Sequence, residues 1–233
     1  MKRTLREQAA ARSHTRLLFI RRPDRRGRPE LRAYAATSRE GEESLRCVTF
    51  ESHEDLRGLD LTTAGEPTEQ LFLVCTHGKH DPCCARYGRP LFEALSEQLE
   101  EEAVWQVTHI GGDRFAGNLV CLPEGIYYGR VEREQTGDVL DNHLAGQIEL
   151  PHYRGRSCWS FAAQAAERDI RERAQLFGIG DLRLVVEDGE RIVFEDATGR
   201  RHERHVRVEL GPEDYLTCNS TDTRRPRRFA VSR

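Results

Sequence analysis

The run Leu71-Phe72-Leu73-Val74 restricts the fold of this chain more than any other segment. Four consecutive apolar residues without polar alternation predict a short strand buried on both faces. The run ends at Cys75, and residues 76–88 read as a loop. Pro90 then suits the first turn of a helix, along which Leu91, Phe92, Leu95 and Leu99 recur at helical spacing. Residues 104–108 form the next strand, closed by His109-Ile110-Gly111-Gly112-Asp113. Residues 119–122 and 126–131 are two more strands, joined by the turn Pro123-Glu124-Gly125, and residues 139–148 read as a helix. Strand, helix, strand, strand, strand, helix is the order of an α/β sandwich on a mixed sheet.

The flanks read differently. Upstream, residues 17–20, 31–36 and 45–50 are candidate strands, punctuated by the Gly/Pro-rich turn Arg26-Gly27-Arg28-Pro29 and by Gly41. The polar stretch 51–69, with Gly58, Gly65 and Pro67, reads as a link. Downstream of Pro151, residues 160–177 carry Phe161, Ala165, Ala166, Ile170, Ala174 and Phe177 on an amphipathic helix stopped by Gly178. Residues 182–186, 192–194 and 206–210 read as an antiparallel meander turning at Gly189 and Gly199. The expected organisation is a β-rich N-terminal extension over 1–66, a central α/β domain over 67–150, and an α+β subdomain over 151–233.

With 233 residues and 37% hydrophobic content, the chain can bury a sizeable core, and disorder of the whole is excluded. No apolar run approaches the ~18 residues of a membrane helix, so no membrane partner is expected. The N-terminus Met1-Lys2-Arg3-Thr4-Leu5-Arg6 is basic but no apolar signal core follows, which points to the cytoplasm. The 36 basic and 39 acidic residues leave a net charge of −3, too balanced for a nucleic-acid binder. The basic runs at 21–28 and 224–228 lack interleaved aromatics and read as solvated charge.

Seven cysteines carry more information. An odd number in a reducing compartment disfavours a full disulfide framework. Cys75, Cys83 and Cys84 bunch together, whereas Cys47, Cys121, Cys158 and Cys218 are scattered. If the strands before Cys75 and His109 are neighbours, their C-terminal ends bring both loops to one edge of the sheet, where ligands collect in such folds. Thiolates and imidazoles suit a soft metal or an iron–sulfur core. Gly111 and Gly112 let the backbone approach closely and can aim N–H groups at an anionic cluster.

Plainer roles stand beside these. Cys83 can be a bystander or a resolving thiol, Cys121 a small core residue, and Cys158 and Cys218 structural. His77 and His80 read as exposed loop histidines, Asp113 as a partner of Arg114 or a cap for local N–H groups, and Trp105, Tyr127 and Tyr128 as core or strand-face residues. The sequence contains no phosphate-binding glycine loop, dinucleotide fingerprint or Gly-x-Ser-x-Gly elbow, and nothing in it supports a glycosidase carboxylate pair.

Residues 75–84, Tyr87-Gly88-Arg89-Pro90, residues 109–118 and residues 122–131 together resemble the sucrase/ferredoxin-like family, with a weaker likeness over 153–158. That family is similar to thioredoxin-like [2Fe–2S] ferredoxins. The resemblance implies a thioredoxin-like mixed sheet flanked by helices, here with an N-terminal strand extension and a C-terminal helix plus meander. It also implies an electron-transfer or redox-sensing protein with an unidentified redox partner, rather than a catalyst. Eukaryotic members carry a Cys-x8-Cys pair and a His-x-Gly-Gly-His pair. Cys75 and Cys84 match the cysteines and His109 the first histidine, while Asp113 stands where the second histidine would be. Gly111, Gly112 and Arg114 are expected to line the site. Three alternatives stay open: Asp113 ligates, Cys83 or Cys121 supplies the fourth position, or the cluster is labile or absent. Without a cluster, a zinc module or a metal-free thiol redox protein takes its place.

Charge counting makes ligation by Asp113 testable. Two thiolates and two neutral imidazoles bring an oxidised [2Fe–2S] core to neutrality, and replacing one imidazole by a carboxylate leaves the site negative and favours the oxidised state. Asp113→His is expected to raise the midpoint potential in a potentiometric titration; an unchanged midpoint rules out Asp113 as a ligand.

Overall fold

The computed structural model describes residues 2–22, 31–56, 59–60 and 63–233. The turn expected at 26–29, most of the basic run 21–28, and Gly58 lie outside them. Helix α1 (Lys2–Ala10) precedes β1 (Ile20–Arg21), β2 (Leu31–Thr37), β3 (Ser44–Phe50) and β4 (Glu66–Pro67). The apolar run is β5 (Leu71–Cys75), and every residue of it is buried. It is followed by α2 (Pro82–Ser96), β6 (Val104–Val107), β7 (Leu119–Leu122), β8 (Ile126–Tyr128), α3 (Thr136–Leu144) and β9 (Tyr153–Arg156). Then come α4 (Phe161–Ala174), β10 (Leu182–Asp188), β11 (Arg191–Asp196), β12 (Arg201–Leu210) and β13 (Arg227–Ser232).

The protein has a mixed α/β architecture. Its central sheet runs β1-β6-β5-β7-β8-β9, with β5 and β6 parallel and the other neighbours antiparallel. It therefore takes one strand from before residue 67 and one from after residue 150. Alternation along β5 explains its burial on two sides. Phe72 and Val74 pack with Leu91, Phe92 and Leu95 of α2 and with Val139 and Leu140 of α3. Leu71, Leu73 and Cys75 pack with Trp105, Val107 and Val120, and with Leu45 of β3 and Tyr34 of β2. A three-stranded sheet, β2-β3-β4, thus covers the face opposite the helices. Each fully buried Leu or Phe contributes about 1.5–3 kcal/mol of transfer free energy.

The C-terminal sheet, β10-β11-β12-β13, packs Ile192, Phe194 and Val206 against Ala163, Ala166 and Ile170 of α4. Strand β13 is absent from the sequence reading because Arg227-Arg228 mask its apolar alternation. Helix α4 is also tied to the central sheet. Glu167 and Arg171 form a fully buried pair at 2.6 Å, and the Tyr153 hydroxyl on β9 donates to Glu167 at 2.8 Å. Arg171 further donates to the carbonyls of Leu176 and Gly178, so the pair meets the condition under which a buried charge is tolerated. Among the described residues, no helix is long and apolar enough to cross a membrane.

Two local expectations need correction. The loop after β5 ends at Asp81 rather than Gly88. The Asp81 carboxylate accepts the Cys83 N–H at 2.8 Å and Pro82 opens the first turn, a strong helix start. Pro90 consequently lies inside α2, where burial of Leu91, Phe92 and Leu95 carries the helix past it. The basic run is also not wholly solvated: the Arg22 guanidinium sits 4.2 Å over the Trp105 ring and donates to the Val104 carbonyl.

Helix α2 crosses β5 at Gly88, where an added Cβ would lie 2.0 Å from the Cys75 carbonyl oxygen. Backbone cannot yield as a flexible side chain does, so Gly88→Ala is expected to cost about 1–3 kcal/mol in urea unfolding. An unchanged midpoint would contradict this packing.

Candidate metal centre

Strands β5 and β6 are parallel neighbours with Cys75 opposite Val107, so the segments leaving them emerge side by side. Cys75 ends β5, and Cys84 sits in the first turn of α2, aimed by the Asp81 cap. Both are about 1% exposed. Their sulfurs and a His109 ring nitrogen lie within 4.8 Å of one another. Three of the four residues singled out as ligands therefore converge.

The loop 109–113 is held from outside. Gly111 and Gly112 adopt φ of +93° and +78°, the left-handed region that glycine enters without strain. Arg16 donates to the carbonyls of His109 and Ile110 at 3.0 and 2.7 Å. Asn118 donates to the Gly112 carbonyl at 2.9 Å, and Arg154 bonds the Asn118 side-chain oxygen at 2.6 Å. Arg154 fills the space beneath Gly112, where a Cβ would meet its guanidinium at 2.3 Å. With these carbonyls engaged by side chains, the N–H of Ile110 is left to face the Cys75 sulfur.

Asp113 stands one step further out. Its carboxylate lies 2.9 Å from His109 Nδ1 and 3.5 Å from His80 Nε2, and the Cys84 thiol reaches it at 3.9 Å. His109 Nδ1 is close to Asp113 without the alignment of a hydrogen bond, so this buried nitrogen has no bonded partner. The expected pairing of Asp113 with Arg114 is not formed, because Arg114 turns to the Phe115 ring at 4.7 Å. His80 stacks on His109 with ring centroids 3.8 Å apart, and His77 Nδ1 accepts the His109 backbone N–H at 3.2 Å. His80 is exposed as expected, yet it belongs to the site. Its position in the same loop, between the two matched cysteines, is the signal that could have marked it. Arg16 and Arg154 carried no such signal.

The alternative cysteine donors lie elsewhere. Cys83 is joined to Cys218 in a disulfide spanning 135 positions, so its sulfur is not free. Cys121 is fully buried in the layer beneath α2 and α3, on the opposite face of the sheet from Cys75 and Cys84. A single bridge is not a disulfide framework, and no local spacing in the sequence announces a pairing at that separation.

Cys75 and Cys84 share a proton unequally. The Cys84 thiol donates to Cys75 and draws the Cys75 thiol down to about 5 despite burial, helped by the N–H groups of His77 and Ile110 and by the charge of His109. The same contact, with burial, pushes Cys84 up. A buried thiolate at neutral pH is a nucleophile or metal ligand held ready. A soft divalent metal or iron–sulfur iron fits two sulfurs and an imidazole nitrogen. In the metal-free protein, thiolate absorbance in the ultraviolet should titrate well below the ordinary thiol value, and Cys84→Ala should move that midpoint upward. A midpoint near the ordinary thiol value in both would contradict the proton sharing.

Over 98 residues the chain is 35% identical to "Altered inheritance of mitochondria protein 32" of Meyerozyma guilliermondii, a match covering 38% of this chain and 35% of that protein. The protein of the same name from Debaryomyces hansenii is 32% identical over 97 residues, covering 37% and 36%. The matched part thus spans about a third of these relatives. A cysteine-to-serine variant of the thioredoxin-like [2Fe–2S] ferredoxin from Aquifex aeolicus aligns at 19% identity and a TM-score of 0.35, over 38% of this chain and all of that one. The family model described as sucrase/ferredoxin-like matches residues 7–155, more than half of the sequence and all of the site. The chain belongs to the sucrase/ferredoxin-like family.

Proposed function

We propose that this protein is an electron-transfer or redox-sensing protein carrying a [2Fe–2S] cluster on Cys75, Cys84, His109 and a fourth donor from the Asp113–His80 pair. What supports the reading is the convergence of two buried sulfurs and a ring nitrogen of the half-buried His109 at the ends of two parallel strands. Such a cluster, when bound, supplies one-electron chemistry at the protein surface.

The chain's own residues have distinct tasks. Cys75 is the ready thiolate, and Cys84 holds the proton that ligation would release. Asp113 lies 2.9 Å from His109 Nδ1 and puts its negative charge beside that ring. The carboxylate of Asp113 and the Nε2 of His80, 3.5 Å apart beside His109, are the donors this reading takes for the fourth position. Side chains of His109 and His80 are 21% and 44% exposed, so this corner of the site meets solvent while the sulfurs do not. A zinc site would use the same donors, and iron analysis separates the two.

Reconstitution with iron and sulfide under anaerobic conditions, followed by desalting and iron assay, tests the assignment. Cys75→Ala, Cys84→Ala and His109→Ala should each lose iron to background, while Cys121→Ala retains it. Of Asp113→Ala and His80→Ala, the variant with the larger loss identifies the fourth donor. Full iron retention by all three of the first variants would overturn the proposal.

A further inference from the structure

Beside the metal centre, three guanidinium groups surround one aromatic ring. Arg114, Arg154 and Arg130 lie 4.7, 4.7 and 5.2 Å from the centroid of Phe115. Arg114 and Arg130 are exposed. Among the described residues no carboxylate lies within ion-pair distance of either, although other arginines are paired, Arg133 with Glu97 and Arg156 with Glu43. Each guanidinium is attracted to the ring, but the three charges repel one another. Like charges gathered without an internal counter-ion mark a surface complementary to an anion.

The cluster is built rather than incidental. Arg130 holds a left-handed backbone (φ +57°), uncommon outside glycine, while its N–H donates to the Phe115 carbonyl at 3.0 Å. Such a conformation is strained and persists where the surroundings enforce it. Gly129 makes the room: a Cβ there would lie 2.5 Å from Arg154 Cδ and 3.0 Å from Phe115 Cβ. Arg154 also donates to Asn118 and so supports the loop that carries His109. Arg114 directly follows Asp113, which lies 2.9 Å from His109. A molecule anchored on these arginines would therefore rest against the solvent-facing corner of the metal centre.

We propose that Arg114 and Arg130, backed by Arg154, form the docking anchor for a protein partner that presents surface carboxylates. As a docking place for the redox partner, the surface rests on the function proposed above. On a chain of nearly balanced charge, net −3, the unpaired arginines make this corner locally basic and orient an acidic partner toward the site as it approaches. Single-stranded nucleic acid fits less well, because stacking needs an open ring face and guanidinium groups crowd Phe115.

A flavodoxin, an acidic single-electron flavoprotein, serves as the probe. Its binding to the full chain is measured by flavin fluorescence at low and physiological salt, with and without iron loading. Binding should weaken with salt, and the pair Arg114→Glu with Arg130→Glu should reduce affinity about tenfold or more. The neutral pair Arg114→Gln with Arg130→Gln should lie between, with circular dichroism confirming that all variants fold. Because binding is also read without iron, loss of the cluster in the wild type would sink the redox reading and leave this one standing. Equal affinity of wild type and the Glu pair would overturn the docking surface. So would a single-stranded oligonucleotide that binds through the same arginines and displaces the flavodoxin.

Discussion

The close approach of α2 to the end of β5 is the contact on which the rest depends. With no side chain at Gly88, the helix backbone sits against the Cys75 carbonyl. The first turn of α2 is thereby brought over the end of the strand, and Cys84 is placed against Cys75. The Asp81 cap sets where that turn begins, and the apolar residues Leu91, Phe92 and Leu95 anchor the far end of the helix to the sheet. Moving the helix outward by the radius of a methyl group would separate the sulfurs before it exposed any core.

The second half of the site is positioned by different physics. The β6 strand delivers His109, the buried Ile110 anchors the loop beyond it in the core, and glycine conformation and side-chain clamps shape the rest. Arg16 arrives from the N-terminal segment and Arg154 from β9, so parts of the chain far from the cysteines fix the imidazole. This explains why the central sheet recruits strands on both sides of the segment 67–150. The C-terminal unit joins the frame through the buried Glu167–Arg171 pair beneath Tyr153, and through the Cys83–Cys218 bridge next to the metal centre.

Much of this was legible in the residues. The unbroken apolar run of β5, the helical spacing of α2 and α4, and the strand pairs with glycine turns are local signals, and local signals survive folding. Cys75 and His109 were legible for the same reason, since each lies directly beside a readable strand, whereas Cys84, inside what reads as a loop, was marked by the likeness of residues 75–84 to the family's cysteine pair. What escaped is non-local. The Cys83–Cys218 bridge joins positions that no pattern relates, and Arg154 acts through a loop 40 residues earlier in the chain. His80 looked like a solvated loop residue because stacking on His109 depends on where two loops meet. The earlier start of α2 was hidden by reading Pro90, instead of Asp81-Pro82, as the opening of the helix.

The role of Asp113 follows from the same geometry. Placed between two imidazoles and within reach of a thiol, a carboxylate can ligate or can hold a ligating histidine in place, and either task puts negative charge beside the metal centre. The Phe115 arginines lie immediately outside it, so the site passes from sulfurs in the core, through imidazole and carboxylate, to guanidinium at the surface. The most direct test is anaerobic purification of the full chain, with its visible spectrum and an assay of iron and acid-labile sulfide. A red-brown protein with about two irons and two sulfides per chain is the expected result. A colourless protein that takes up neither, even when made with ample iron and sulfide, would contradict the cluster assignment at its root.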